Sequence, residues 1–168
     1  GLDAKFSLLS VSRIEEHKGH IFVLNALSKL PKNVLNQMCY LIAGTGSYRT
    51  EAERHIKKLG LQSNVRWLGF VSEEDLAGLF NAVDLFLLCS TTEVKKRKVE
   101  GFGLSLLEAQ ACGVPVIGTR SGGIPSAIEH ENGGFLIEED DSEGLTKLIK
   151  KLYYDRELLV EQGKKARK

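Results

Sequence analysis

The sequence predicts an α/β domain: an open parallel sheet of about six strands with helices on both faces. Three observations carry that expectation. Short apolar segments alternate along the chain with longer segments of helical period. One of the short segments, VPVIGT, is apolar and β-branched, as a buried strand must be. And the stretch LSLLEAQACGVPVIGT passes from a helical pattern to such a strand through a tight turn, with Gly113 as the stop and Pro115 two residues later.

Each element can be justified in order. FSLLSVS (6–12) is a strand. GHIFVLNALSKL (19–30) is a helix with Ile21, Leu24, Leu27 and Leu30 inward. MCYLIAG (38–44) is a strand, followed by a charged amphipathic helix over 48–59 that Gly60 ends. VRWLGF (65–70) is the third strand. SEEDLAGLF (72–80) is a helix capped by Ser72, with Asp75 at the third helical position and acids in the first turn. DLFLLCS (84–90) is the fourth strand. A charged loop, a helix containing Glu108 and a strand over 114–118 follow. A short helix near 124–129, the strand GGFLIE (133–138) and helices near 142–152 and 155–165 complete the order.

The 168 residues suffice for one domain with a full core. The formal net charge of +1 argues for neither a nucleic-acid nor an acidic partner. No apolar run approaches the roughly 20 residues of a membrane span, and no secretory signal pattern opens the sequence. Cys39, Cys89 and Cys112 are widely spaced in apolar runs, which predicts reduced core thiols in a cytosolic protein and no metal site. The chain opens almost directly on a strand and closes in an uncapped helical pattern. It therefore reads as a piece of a longer protein.

In a parallel sheet, ligands gather at the carboxyl ends of the strands. Arg13 and Lys18 follow the first strand and together would suit a diphosphate beside a helix N-terminus; as solvated loop charges they would mean nothing. Gly44 and Gly46, in GTGS after the second strand, begin a dinucleotide fingerprint, but Arg49 occupies the place of its third glycine, so NAD binding is rejected. These glycines read as a tight turn or as a close backbone approach to a ligand. Gly101 and Gly103 leave amides open near a helix start, a geometry that suits an anion. Leu104, Leu107, Glu108 and Ala111 share one helix face, so Glu108 is expected among apolar neighbours with a partner to satisfy it. Glu100 and Glu108 would lie about 12 Å apart along a helix, too far for one acid/base pair. They would suit opposite ends of a polyhydroxylated ligand. Alternatively, Glu100 is a plain loop carboxylate and Glu108 pairs with a lysine. SGGIP (121–125) is a weak turn signal. The basic run VKKRKV (94–99) is a solvated loop or borders a cleft. His17, His20, His55 and His130 have no telling partners and read as structural or surface residues, and Trp67 reads as core.

Taken together, SRIEEHKG, the strand before GTG, NVRWLGFVSEEDL, NAVDLFLLCS, EGFGLSLLE, AQACGVPVIGT and NGGFLI resemble, in order and over almost the whole chain, the C-terminal donor-binding half of GT-B glycosyltransferases of the large retaining family 4. The resemblance implies a single Rossmann-like domain that binds a nucleotide-sugar donor. It implies that Arg13 and Lys18 hold the donor diphosphate and that Glu108 binds the ribose hydroxyls. Glu100 would contact the donor sugar, helped by backbone groups of Phe102, Gly103 and Leu104, and Phe70 and Val71 would wall the base. Transfer would retain configuration and need no metal or other cofactor. An N-terminal half outside this sequence would supply the acceptor contacts, to a glycan or a lipid-linked glycan, so the fragment alone would not transfer sugar. The setting implied is cell-surface polysaccharide or glycoconjugate synthesis, in the cytoplasm or peripherally at the inner face of the membrane. Three places depart from the pattern: Cys89-Ser90 stands where Pro-Ser is usual, TTEVKKRKV is inserted before Glu100, and Ser126 replaces an acid. Other readings keep the fold and change the role: an epimerase, which should carry more acids, a phosphorylase, which needs a pyridoxal lysine setting, or a non-catalytic nucleotide-binding module.

Overall fold

The computed structural model describes residues 5–92 and 100–167. The basic run over 94–99 lies outside the described residues. Six strands form one sheet: β1 (Phe6–Val11), β2 (Met38–Ala43), β3 (Val65–Gly69), β4 (Leu85–Leu88), β5 (Val116–Thr119) and β6 (Gly134–Ile137). All neighbours pair in parallel, in the order β3-β2-β1-β4-β5-β6. The chain steps outward from β1 to β3, then returns to lay β4 against β1. The connections after β1 and β4 therefore leave in opposite directions and open a crevice above their carboxyl ends.

Alternate residues of each strand feed two apolar layers. On one face, Phe6 and Leu8 of β1 and Tyr40 and Ile42 of β2 meet helices α1 (His20–Ser28), α3 (Arg49–Leu59) and α7 (Ser142–Tyr154), through Val23, Leu24, Leu27, Ile56, Leu145, Ile149 and Leu152. On the other, Leu9, Leu41, Phe86 and Leu88 meet α4 (Glu73–Asn81) and α5 (Leu104–Ala111), through Phe80, Leu106 and Ala109. A one-turn α2 (Lys32–Leu35), which sequence pattern did not reveal, precedes β2. The short α6 (Ile124–Ala127) and the terminal α8 (Arg156–Ala166) complete the fold. Ser72 caps α4 as its sequence predicts, accepting from the Asp75 amide at 3.3 Å. In α1 the inward residues are Val23, Leu24, Ala26 and Leu27, with Leu30 just beyond; Ile21 is only half-buried. Trp67 is likewise half-buried, with the Arg49 guanidinium 5.1 Å above its ring. Cys39 and Cys89 are buried thiols and Cys112 is half-buried. None of the described helices is long and apolar enough to cross a membrane.

A line of polar groups runs through the first layer. The Ser10 hydroxyl donates to the Leu87 carbonyl at 2.7 Å and meets the Tyr40 hydroxyl at 2.8 Å. Tyr40 in turn lies 3.3 Å from Nδ1 of His20. Burial pushes the His20 imidazole down from 6.5 to about 4. The unfolded chain thus takes up a proton near pH 6.5 that the folded chain refuses until about pH 4. Stability from this group is complete above pH 6.5 and falls as pH drops through that window. The expected loss between about pH 7 and pH 5 is about 2 kcal/mol. Urea midpoints at the two pH values, for the chain and for His20→Gln, check it. The variant should lose measurably less, and equal losses would remove His20 as the cause.

Candidate functional site

The crevice is built from the connections that follow β1 and β4. After β1 the chain passes Ser12 and Arg13 into a 3-10 turn at Glu16–Lys18, and Gly19 opens α1. This turn is fastened to the exit of β4, where the Thr91 amide donates to the His17 carbonyl at 2.8 Å. Lys18 is thereby aimed across the crevice. Its Nζ lies 2.7 Å from Oε2 of Glu100, 82 residues away in sequence. The Ser90 hydroxyl donates to the same oxygen at 2.8 Å. Ser90 is itself wholly buried, and its carbonyl accepts from the Thr119 hydroxyl. Both side chains of the pair are close to nine-tenths buried. Burial alone would raise the Glu100 carboxyl; the hydrogen bonds from Lys18 and Ser90 and the Lys18 charge outweigh it and hold the group below the usual carboxylate range.

Glu100 is also fixed through its backbone. Its carbonyl accepts from the Gly123 amide at 3.0 Å, and a Cβ at Gly123 would stand 1.9 Å from the Gly101 carbonyl oxygen. The SGGIP turn thus buttresses the Glu100 loop, a role that its composition did not reveal. Beyond Glu100, Gly103 takes a left-handed conformation (φ 77°) and α5 begins with no side-chain cap. Leu106, at its third position, donates to the Gly103 carbonyl at 2.8 Å, so among the described residues the Leu104 and Ser105 amides are the ones an anion could meet.

These groups face a cleft of about 680 Å³ bordered by Arg13, Lys18, Glu100 and Phe102 to Leu104. Arg13 is exposed and pairs with Glu15 at 2.6 Å. An adjoining hollow of about 230 Å³ shares Val11, Ser12 and Arg13 with the cleft and adds Gly44, Phe70 and Val71. Phe70 is 81% exposed there, free to meet a flat ring. Six sequence-predicted residues therefore share one cleft, and three more line the space beside it.

Three expectations need correction. Glu108 is not buried: α5 turns Leu106 and Ala109 inward, and Leu104, Leu107, Glu108 and Ala111 face outward. Glu108 borders a separate hollow between α4 and α5, beside Glu73 and Leu76. The residues of this helix are apolar on more than one side, so its period selects no face. The 100–103 segment is not helical either, so the axial spacing assumed between the two glutamates does not apply. The GTG glycines make their close approach to protein backbone. A Cβ at Gly44 would lie 1.9 Å from the Ser12 carbonyl oxygen, and one at Gly46 would lie 2.2 Å from that of Ile14. They hold the Arg13 loop from beneath; Gly44 also lines the smaller hollow. Of the two plain readings, Glu100 is no solvated loop carboxylate, and it, not Glu108, pairs with the lysine.

Ser90 was missed as a site residue. Its signal was its place, a hydroxyl directly after an apolar strand at the carboxyl edge. Glu139 is a second such group. It accepts from the amide and hydroxyl of Thr92 at 2.8 and 2.6 Å, fixing the chain that leads toward Glu100.

This chain is 36% identical over 160 residues to the N-acetyl-alpha-D-glucosaminyl L-malate synthase of Bacillus anthracis, covering 95% of this chain and 39% of that protein. It is 27% identical to a GDP-mannose-dependent alpha-(1-6)-phosphatidylinositol monomannoside mannosyltransferase of Mycobacterium tuberculosis, covering 94% of this chain and 40% of that protein. Among solved structures, Anabaena Alr3699/HepE, crystallised with UDP and with UDP-glucose, superposes with a TM-score of 0.88 at 28% identity, over 99% of this chain and 44% of that one. The chain thus spans about two fifths of the length of these relatives. The single six-stranded domain corresponds to the C-terminal, Rossmann-like half of a GT-B fold. With a match to the family over residues 2–168, the chain belongs to the group 1 glycosyl transferases.

Proposed function

We propose that this chain is the donor-binding half of a retaining glycosyltransferase that moves a sugar from a nucleotide-diphosphate sugar to a glycan or lipid-linked glycan. The observation that carries the reading is the buried Lys18–Glu100 pair at the mouth of an uncapped helix, with Arg13 across the same cleft. A diphosphate brings two or more negative charges. Arg13, Lys18 and the first amides of α5 supply the cations and dipoles to hold it. Glu100, kept ionised, accepts hydrogen bonds from sugar hydroxyls. As the glycosidic bond to phosphate lengthens, its electron pair moves onto the diphosphate, and the same cations stabilise that charge. No metal or other cofactor is given a role in this reading.

Phe70 and Val71 receive the base, and Glu108, which borders the hollow between α4 and α5, is assigned the ribose hydroxyls on the family pattern alone. Acceptor contacts and closure of the cleft come from an N-terminal half outside this sequence, so this chain alone binds donor and transfers nothing. The mycobacterial relative's name places its acceptor on a lipid, which supports a cytoplasmic enzyme, or one peripheral at the inner membrane face, in cell-surface glycoconjugate synthesis.

Relatives are described with both UDP and GDP-mannose, so the base is settled by calorimetric titration with UDP, GDP and ADP. Glu108→Ala accompanies it. Because Glu108 is exposed, the change should alter stability by no more than about 0.5 kcal/mol. It should weaken the preferred diphosphate about fivefold, the loss of one good hydrogen bond. Unchanged affinity would remove Glu108 from the ribose role. Binding of none of the three at millimolar concentration, in this chain and in the full-length enzyme, would end the donor-site reading.

A further inference from the structure

The polar line behind the cleft has an end that the fold does not require. His20 sits in the first turn of α1 and is 2% exposed. Its Nδ1 faces the Tyr40 hydroxyl, and its Nε2 lies 3.1 Å from the Ser12 hydroxyl, with the Arg13 carbonyl on the same side. The hydrogens can be counted along the line. The Leu87 carbonyl only accepts, so the Ser10 hydroxyl donates to it. The Ser10–Tyr40 contact then takes its hydrogen from tyrosine, and the Tyr40–His20 contact takes its hydrogen from Nδ1. Nε2 is left with its lone pair, facing the Ser12 hydroxyl at 3.1 Å, whose single hydrogen is shared between Nε2 and the Arg13 carbonyl at 3.0 Å. With imidazole neutral, the contacts from Leu87 to Nδ1 each have a hydrogen, and the Ser12 hydroxyl links Nε2 to the Arg13 backbone.

The two ends of this line are the two walls of the cleft. Leu87 lies in β4, three residues before Ser90, which holds Glu100. Ser12 precedes Arg13, and both line the cleft. The segment between them and Lys18 is otherwise held by the Ser12 and Ile14 amides, which donate to the Ala43 and Thr45 carbonyls at 3.1 and 2.9 Å, and by the Arg13–Glu15 pair. Ser12 is only half-buried, so its hydroxyl would find water if the imidazole were absent. Core packing needs the ring but not that bond.

We propose that His20 is a positioning residue of the donor site: its Nε2 holds the Ser12 hydroxyl, and so the Arg13 loop, at a fixed distance from the β4 wall that carries Ser90 and Glu100. The proposal rests on the donor-site reading for its functional consequence and on geometry alone for the loop.

Amide substitutions separate the two ring nitrogens. In His20→Gln the terminal amide falls near the place of Nε2 and keeps the Ser12 contact, its oxygen accepting where Nε2 does. In His20→Asn the amide falls near the place of Nδ1 and keeps only Tyr40. His20→Phe keeps the shape and neither bond, and Ser12→Ala removes the same contact from the exposed side. Amide hydrogen exchange over residues 10–18 reads the loop without any ligand. Calorimetric titration with UDP and GDP reads the site, with Lys18→Ala as its reference. His20→Asn, His20→Phe and Ser12→Ala should each speed exchange in this segment and weaken diphosphate binding about fivefold, as expected for one lost hydrogen bond. His20→Gln should stay within about twofold of the parent on both measures, and adding Ser12→Ala to His20→Phe should change neither further. Exchange in His20→Asn equal to that of the parent, or in His20→Gln equal to that of His20→Phe, would overturn the proposal, because core satisfaction of Tyr40 would then be the whole role. If Lys18→Ala leaves diphosphate affinity unmoved, the donor-site reading fails while the exchange pattern still decides whether His20 holds the loop.

Discussion

Lys18→Ala should lower kcat/KM of the full-length enzyme by about 10²–10³-fold, the range seen when one pre-positioned charge partner of a leaving group is removed. Two losses combine in this one change. In the proposed donor site the diphosphate loses a cation that the 3-10 turn and Gly19 hold in place before any ligand arrives. Glu100 loses the partner that offsets its burial, so its carboxyl moves back up toward or beyond the ordinary range and is less fully ionised where the sugar should meet it. The second loss predicts a change in shape as well as in size. In the variant the acidic limb of the pH–rate profile should move to higher pH. Lys18→Arg, which keeps the charge on a longer and planar head, should recover part of the rate and most of the profile. Glu100→Gln, combined with Lys18→Ala, should cost far less than the product of the two single effects, because each single change already breaks the same pair. A Lys18→Ala rate within tenfold of the parent would mean that the pair is a structural tie and that the diphosphate is held elsewhere.

How much of this was legible in the sequence depended on whether the information was local. Five of the strands could be read because they are buried on both faces, and burial of that kind writes a continuous apolar run; the edge strand β3 is half-exposed and shows only a partial one. Ser72 could be read because a cap is made within three residues of itself. The Lys18–Glu100 pair could not be read from the residues alone: the two are 82 positions apart, and only the return of the chain from β3 to β4 brings them together. Family resemblance put both residues at one ligand without indicating that they touch. The Glu108 face failed for a different reason. Leu104, Leu106 and Leu107 are equally apolar, and only Leu106 meets the sheet; which of them does so is fixed by where Gly103 starts the helix, not by its period. The serine, tyrosine and histidine of the buried line looked ordinary because each polar group is unremarkable until its partner in another strand or helix is known.

Gly19→Ala should be the most damaging single methyl in this part of the chain, and the reason can be separated into two parts. Gly19 has φ 73°, where any side chain pays roughly 1 kcal/mol in strain. Gly60 has φ 70° with nothing within 4 Å of the Cβ that it lacks, so Gly60→Ala measures that strain alone. At Gly19 the added Cβ would also stand 1.7 Å from the Cys89 carbonyl oxygen, and both partners are backbone. No rotamer can relieve this; the 3-10 turn and the exit of β4 must separate. The expected cost is about 3 kcal/mol or more for Gly19→Ala against about 1 for Gly60→Ala, which corresponds to losses of roughly 10 °C and 3 °C in Tm for a chain of this size. The separation is also functional. Lys18 and Ser90 are the chain neighbours of the two clashing residues, and both grip the same oxygen of Glu100. Diphosphate affinity, measured well below either Tm, should therefore fall in Gly19→Ala and stay unchanged in Gly60→Ala. Equal melting losses in the two variants would show that conformation rather than contact sets the need for glycine at position 19, and the contact with Cys89 would then have no part in aligning Lys18.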